Sequence, residues 1–413
     1  MSETYEIARL GAQGDGIAET ATGPVYIPFA LPGETVVAER SKDRAELVSV
    51  EKPSPERVPP ACRHFGVCGG CSVQHLEPAA YHAWKRENLA QPLASQHVEA
   101  AVGDLVPCAP HSRRRVTFTA RKADKGMLLG YNRAQSNEIV DIVECPISSP
   151  QIVAALDRLR VLAGMIATTP KPFQLIVTAS DTGLDIAARQ SGVPGETRRR
   201  QASDFVLREG FARLTIDGEI VVEPRKPSVM FGDASVLLPP GAFLQATASA
   251  ERSMVELVGN HLSRARKVAD LFAGSGAFAL RLARNSEVRA VESDAAALSA
   301  LDRAFRFTPG LKRVTTERRD LFRRPLTFKE LNAFDGLVFD PPRAGAEDQS
   351  KQIARSDVPL VAAVSCNPAT LARDLSILIA GGYRLKSVTP IDQFLWSPHV
   401  EAVALLEKPR KRR

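Results

Sequence analysis

Residues 268–292 read VADLFAGSGAFALRLARNSEVRAVE, and this stretch decides the fold class. An apolar run, Val268–Leu271, meets a turn holding Gly274 and Gly276. A helical pattern follows in GAFALRLARN, and a second β-rich run, VRAVE, closes on Glu292. Glycines turn tightly and let a ligand approach the backbone. A carboxylate at the end of the next strand can accept both hydrogen bonds of a ribose diol. The alternation continues outward through DAAALSALDRAFRF, VTTERRD, DGLVFD, LVAAVSC and PATLARDLSILIAGG. Buried strands alternating with amphipathic helices imply an α/β domain with a doubly wound, mainly parallel sheet that binds ligands at the carboxyl ends of its strands.

A dinucleotide site would share the glycine turn and Glu292. The third glycine of G-x-G-x-x-G is missing, however, Asp320 ends the third strand, and DPPR (Asp340–Arg343) ends the fourth. These features resemble Rossmann-like class I S-adenosylmethionine methyltransferases. A structural turn flanked by surface acids is the alternative without a ligand.

DPPRAG (340–345) and SCNPAT (365–370) end adjacent strands, so both loops face the same edge. Consecutive prolines stiffen the first, while Asn367 and Pro368 end a strand and start a helix. Cys366, at a strand tip beside a helix N-terminus, is placed for a lowered thiol pKa. An isolated cysteine is more often a small buried apolar residue. Glu401, in SPHVEAVALLEK, begins the last apolar strand and is a candidate proton acceptor. A cysteine paired with a base suits methylation at carbon 5 of a pyrimidine. That carbon is a poor nucleophile until a thiolate adds at carbon 6 and turns the ring into an enolate.

In order along 240–408, GAFLQAT, DLFAGSGAF, VES, RRDLF, DPPRAG, SCNPAT and HVEAVALL resemble the bacterial RNA uracil-5-methyltransferase family. The resemblance implies an S-adenosylmethionine-dependent enzyme forming 5-methyluridine, with Cys366 as nucleophile and Glu401 as general base. It also implies that Gln245, Phe272, Glu292, Asp320 and Asp340 surround the cofactor or target base. Ala277 and Thr247 stand where the family usually has Asn; the first leaves one cofactor hydrogen bond in doubt, the second the support of Gln245. An N-methyltransferase would typically carry an aromatic residue where Arg343 stands. A cytosine-5 enzyme would also use a cysteine, and a non-catalytic RNA-binding protein could retain the fold.

Cys62, Cys68 and Cys71 form C-x5-C-x2-C within CRHFGVCGGCSVQHL, where Gly69 and Gly70 let the backbone fold tightly. For a fourth ligand, Cys145 in DIVECPI is preferred over Cys108. Four thiolates suit either an iron–sulfur cluster or tetrahedral zinc. The wording CGGCSVQHL with the later ECPI resembles the [4Fe–4S] motif of the family's ribosomal RNA members, which implies that cluster.

Residues 4–54 alternate short apolar runs with Gly and Pro turns, which suggests a small barrel, and ALPGETVVAE with PSPERVPPAC resembles the OB-like TRAM domain. The expected organisation is a TRAM-like barrel over 1–54, a sheet-rich α+β central region bearing the cysteines over 55–235, and the methyltransferase domain over 236–413. Strands are expected in RVTFTA, GMLLGY, EIVDIVE, FQLIVTA and RLTIDGEIVV, with one helix across 149–167.

The chain has 413 residues, a formal charge of +7 and a pI near 9.2. That excess favours a polyanionic partner, but five of the positive charges are Lys408, Arg410, Lys411, Arg412 and Arg413. Arg113–Arg115 and Arg198–Arg200 are further candidate basic patches for phosphates. No signal-peptide pattern and no apolar run of about 18 residues is present, so a soluble cytoplasmic protein without membrane contact is expected; it is taken as a monomer. Its RNA partner is taken as 23S ribosomal RNA, because the transfer-RNA branch of the family typically lacks both barrel and cluster.

Overall fold

The computed structural model describes residues 2–124 and 126–409; the tail arginines and Lys411, residues 410–413, lie outside the described residues. Lys408 is not part of a free basic tail, since its Nζ donates to the carbonyls of Ala354 and Ser356, 2.7 Å each.

The N-terminal sheet comprises β1 (Ser2–Glu6), β2 (Arg9–Leu10), β3 (Asp15–Thr20), β4 (Gly23–Pro28), β5 (Thr35–Ser41) and β6 (Arg44–Lys52). Their order is β1-β5-β6-β4-β3-β2. Because β2 continues the chain of β1, the two outer strands are one bent stretch, and the Ala8 N–H donates to Ile17 O at 2.9 Å. The sheet therefore closes on itself around Tyr5, Ile7, Val25, Ile27 and Val36. Closure removes the exposed edges that an open sheet of this size would present. Helix α1 (Pro78–Ser95), capped by the Glu77 carboxylate, follows the linker.

The middle sheet contains β7 (Arg115–Ala123), β8 (Gly126–Asn132), β9 (Ile139–Asp141), β10 (Phe173–Ser180), β11 (Gly183–Arg189), β12 (Arg213–Ile216) and β13 (Glu219–Val222), in the order β13-β12-β11-β10-β7-β8-β9. RLTIDGEIVV is a hairpin rather than one strand. Asp217 and Gly218 both have positive φ (48° and 89°), as a two-residue hairpin turn requires. The single helix expected across 149–167 is broken at Ala154–Ala155 into α2 (Pro150–Val153) and α3 (Leu156–Ile166). With α4 (Glu196–Arg208), α3 supplies Leu159, Leu162, Phe205 and Val206 to this sheet's core.

A hairpin, β14 (Ser228–Phe231) and β15 (Ala234–Leu237), leads through α5 (Ala248–His261) into the last sheet. There, β16 (Lys267–Leu271), α6 (Ala279–Leu282), β17 (Glu287–Glu292), α7 (Ala295–Arg306), β18 (Val314–Arg318), α8 (Phe328–Leu331), β19 (Gly336–Phe339), α9 (Glu347–Arg355), β20 (Leu360–Ser365), α10 (Pro368–Ala380), β21 (Arg384–Ile391) and β22 (Glu401–Glu407) follow in turn. The sheet order is β18-β17-β16-β19-β20-β22-β21, parallel through β20 and antiparallel for the last pair. Alternate residues face opposite layers. Val268, Val288, Val338 and Val364 pack with Met254, Val258 and Leu301 of α5 and α7. Ala269, Leu271, Phe339 and Ala363 pack with Ile353, Leu371 and Leu375 of α9 and α10. Burial on both faces is why these strands read as continuous apolar runs.

Two segments that precede α5 join this core. Leu89 and Leu93 of α1, with Val98 and Leu105, pack on the second layer, and Val102 and Val106 bridge to Val388 and Ile391 at the sheet edge. Val229, Phe231, Ala234 and Val236 of the β14–β15 hairpin belong to the first.

Candidate active site

The turn after β16 is built by backbone conformation. Phe272 (φ 62°), Gly274 (φ 53°) and Gly276 (φ 95°) all lie in the left-handed region. A Cβ on Gly276 would sit 2.7 Å from Leu301 Cγ, so α7 packs against the turn only because none is there. The Glu292 carboxylate closes the turn: Oε2 accepts the Gly274 N–H (3.0 Å), and Oε1 accepts those of Ser293 and Asp294. One oxygen is thus saturated by protein donors, so the expectation that both would receive a ribose diol is modified. Asp320 Oδ1 accepts the N–H groups of Phe322 and Arg323, and the Phe322 ring lies 5.4 Å from that of Phe272.

Gln245, Phe272, Glu292, Asp320, Asp340, Cys366 and Glu401 all line one cavity of about 610 Å³. The loops after β19 and β20 are fastened together: Asn367, the N-cap of α10, donates from Nδ2 to Arg343 O at 2.9 Å. Opposite them lies a buried amide chain. Gln245 Nε2 donates to Asp340 Oδ2 (2.8 Å). Gln393 Nε2 donates to Gln245 Oε1 (2.8 Å) and to Glu401 Oε2 (2.6 Å), and Gln393 Oε1 accepts the Ala246 N–H (2.9 Å). Sequence reasoning missed Gln393, a single polar residue in an irregular loop. Thr247 caps α5 by accepting the Ala250 N–H at 3.1 Å, so a hydroxyl there supports the Gln245 segment. No side-chain function replaces the family's Asn at Ala277.

Burial dominates the electrostatics. Glu401 is 2% exposed, and its Oε1 has no hydrogen-bond partner among the described residues. Desolvation pushes its carboxyl well up, the nearby Asp340 adds to this, and the Gln393 hydrogen bond opposes it. Desolvation also raises Asp340 to about 7. The expected lowering of the Cys366 thiol is overturned: burial, then the charges of Glu401 and Asp340, raise it to about 11 against a smaller opposing effect of Arg343. Loss of water and two nearby carboxylates outweigh one helix N-terminus. Arg343, whose positive charge favours the thiolate, donates from Nη2 to His399 Nε2 at 2.8 Å.

Cys62, Cys68, Cys71 and Cys145 line a second cavity of about 300 Å³, which shares Arg343 and Phe394 with the first. Gly69 is required by close approach, since a Cβ there would lie 2.7 Å from Asn132 O. The Arg63 N–H donates to Glu144 Oε1 (2.7 Å) and that of Val143 to His64 Nε2 (3.1 Å), bringing the segments around 62 and 145 together. Cys108 lies elsewhere, buried beside Thr247 and Ser249. Burial raises the three clustered thiols, Cys71 to about 12. Among the described residues, no group of three or more His, Cys, Asp or Glu side chains has a geometry that could hold a metal ion.

The expected arginine patches are largely committed. Arg114 pairs with Glu251 (2.5 Å) and donates to Gln245 O (3.1 Å), while the Arg113 guanidinium lies over the Phe394 ring at 5.9 Å. Arg199 pairs with Glu219 (2.7 Å) and Arg198 donates to Ala167 O (2.7 Å). No helix among the described residues is long and apolar enough to cross a membrane.

The sheet order, the glycine turn and the acidic strand ends define a class I methyltransferase fold. Residues 233–409 match the family model described as tRNA (Uracil-5-)-methyltransferase. A protein of Mesorhizobium japonicum described as an uncharacterized RNA methyltransferase is 67% identical over the whole of both chains. The 23S rRNA (uracil(1939)-C(5))-methyltransferase RlmD of Shewanella denitrificans is 31% identical, with 98% of this chain and 95% of that one covered. The chain belongs to the RNA uracil-5-methyltransferase family. The fold is also that of the Pyrococcus abyssi tRNA (uracil-54, C5)-methyltransferase solved with S-adenosyl-L-homocysteine, with TM-score 0.76, 23% identity, and 98% and 99% of the two chains covered.

Proposed function

We propose that this protein transfers the methyl group of S-adenosylmethionine to carbon 5 of a uridine in 23S ribosomal RNA. Cys366 is the nucleophile and Glu401 the base. The supporting observation is that Cys366, Glu401, Asp340 and Gln245 converge on one wall of the cavity whose other wall is the glycine turn, Glu292 and Asp320. S-adenosylmethionine supplies an electrophilic methyl group there. The Cys366 thiolate bonds to carbon 6, moving an electron pair toward carbon 5, which takes the methyl group. Glu401, poorly solvated and strongly basic, then accepts the carbon 5 proton; the ring electrons return and the thiolate leaves. The uridine must leave its stack to reach both groups.

The ribosomal substrate is favoured by the RlmD relative, the closed N-terminal sheet and the cysteine cavity. We read residues 1–54 as a TRAM-like RNA-binding barrel, 55–235 as the central region and 236–413 as the methyltransferase domain of a cytoplasmic monomer. Cys62, Cys68, Cys71 and Cys145 are not gathered around a single ion but line one cavity of about 300 Å³, where four thiols would hold a [4Fe–4S] cluster, a donor set that suits one. It would supply a cross-link between distant chain segments, since methyl transfer consumes no electrons.

Trapping tests the reading. With 23S transcript and cofactor, Glu401→Gln should accumulate a covalent RNA–protein band on a denaturing gel, and Cys366→Ala none. A band that persists in Cys366→Ala assigns the nucleophile elsewhere. Nucleoside mapping of cells lacking the gene should show 5-methyluridine lost from 23S RNA, and loss from transfer RNA instead would move the substrate.

A further inference from the structure

We propose that Lys85 and Asp392 are positioning residues for methyl transfer. Their buried ion pair fixes the 392–400 loop, which carries Gln393 and His399 and leads into Glu401, against the nucleophile. The inference rests on the reading of Cys366 and Glu401 given above.

Lys85 sits on α1, far in sequence from the catalytic motifs, and its side chain is fully buried (0% exposed). Nζ lies 2.9 Å from Asp392 Oδ1, an ionic contact, and donates to the carbonyl oxygens of Phe394 (3.0 Å) and His399. Asp392 Oδ2 accepts the Tyr81 hydroxyl proton at 2.7 Å, and the Tyr81 oxygen accepts the Trp396 N–H at 2.8 Å. One turn of α1 therefore grips the loop at 392, 394, 396 and 399. The loop itself has no regular structure between β21 and β22.

Two of the gripped positions, 392 and 399, adjoin or carry a group that reaches the cavity. Asp392 precedes Gln393, which donates to both Gln245 and Glu401. His399 accepts from Arg343, which lines the same cavity as Cys366 and whose charge favours the thiolate, and Glu401 is two residues further on. A path of contacts thus runs from Lys85 through His399 to Arg343 on the cavity wall. A buried ion pair is a costly way to stabilise a fold, because apolar residues of similar volume often do as well. Here the ammonium supplies directed donors to two loop carbonyls, which an apolar side chain cannot.

Removing one charge strands the other in the core, so the main variant is Lys85→Met/Asp392→Asn, in which the introduced amide can still accept from Tyr81. The expected result is an unchanged melting temperature and S-adenosylhomocysteine affinity, because the glycine turn and Glu292 lie outside the clamp. Adduct formation with 5-fluorouridine RNA at saturation should slow by about 30- to 100-fold, since small misplacement of reacting groups has effects of that size. In a Trp84→Phe background, where Trp396 is the remaining tryptophan, its emission should become more accessible to acrylamide. Adduct formation at the unmutated rate in the folded double variant overturns the proposal, as does a loss of rate matched by equal losses of stability and cofactor affinity. If the double variant does not fold, Tyr81→Phe carries the test, with about a tenfold slowing expected and an unchanged rate refuting it. An unmutated chain that forms no adduct refutes the uridine reading, and quenching of Trp396 still decides the clamp.

Discussion

Replacing Gln393 with Leu removes the side chain that joins Glu401, the proposed base, to Gln245 and through it to Asp340. Three groups lose partners: Glu401 Oε2, Gln245 Oε1 and the Ala246 N–H. Glu401 Oε1 already lacks one, so both of its oxygens would be bare. A hydrogen bond to a charged group contributes about 1.5–3 kcal/mol, and one pKa unit corresponds to about 1.4 kcal/mol. The Gln393 contact holds the Glu401 carboxyl down against desolvation, so its removal should raise that carboxyl further. Glu401 has to be ionised if it is to accept the carbon 5 proton. The ascending limb of the pH profile for methyl transfer should therefore move to higher pH, and activity at neutral pH should fall about 10- to 100-fold, the equivalent of one lost hydrogen bond to a charged group. The assay is transfer of labelled methyl groups across the neutral and alkaline range, with cofactor affinity measured separately. At high pH the variant should recover much of its rate. A profile reduced equally at every pH, with its limb unmoved, would refute the electrostatic role of Gln393 and leave it only a packing role.

Asp340, raised to about 7 by burial, keeps a proton in the folded state that the unfolded chain releases near its ordinary value of 3.8. Stability should therefore fall as pH rises through that window, and Asp340→Asn should lessen the slope, changing the pH 5 versus pH 8 difference in urea unfolding by a few kcal/mol; parallel curves for the two proteins would contradict it. Anaerobically purified protein should be brown with about four irons per chain. Cys145→Ser should lose them and Cys108→Ser, buried beside Thr247, should not; stoichiometric zinc without visible absorbance would sink the cluster.

The catalytic sheet was legible because its strands are short and buried on both faces, and because its helices keep a strict apolar stripe, as Leu298 and Leu301 do in α7. The loop residues Cys366, Asp340 and Glu401 could be placed because each directly follows or begins such a strand. Elements without a clean period were missed. Helix α1 carries Pro92 and a buried lysine on its inner side, and α4 hides Ala202, Phe205 and Val206 among arginines. The arginine run at 113–115 read as a phosphate patch because the carboxylate that neutralises Arg114, Glu251, is 137 residues away. The thiol failed for the same reason: a helix N-terminus is local and visible, whereas burial and the charges of Asp340 and Glu401 are products of the tertiary fold.

That failure changes the account of the nucleophile. Cys366, Glu401 and Asp340 are three acidic groups in one poorly solvated cavity, and burial raises all of them. Bringing the thiol from about 11 to neutrality requires roughly 5 kcal/mol of preference for the thiolate. One charge-assisted hydrogen bond supplies about 1.5–3 kcal/mol, so Arg343 alone cannot do it. The remainder has to come from filling the cavity, since a cation favours every ionised neighbour and a carboxylate that takes up a proton ceases to oppose the thiolate. On the proposed mechanism, Cys366 is therefore latent in the free protein and is activated when RNA and cofactor fill the cavity. Arg343 contributes its share only if its guanidinium stays near the sulfur, and it is hydrogen-bonded to His399, whose own carbonyl is held by Lys85. A thiol at its ordinary pKa would have needed no such support.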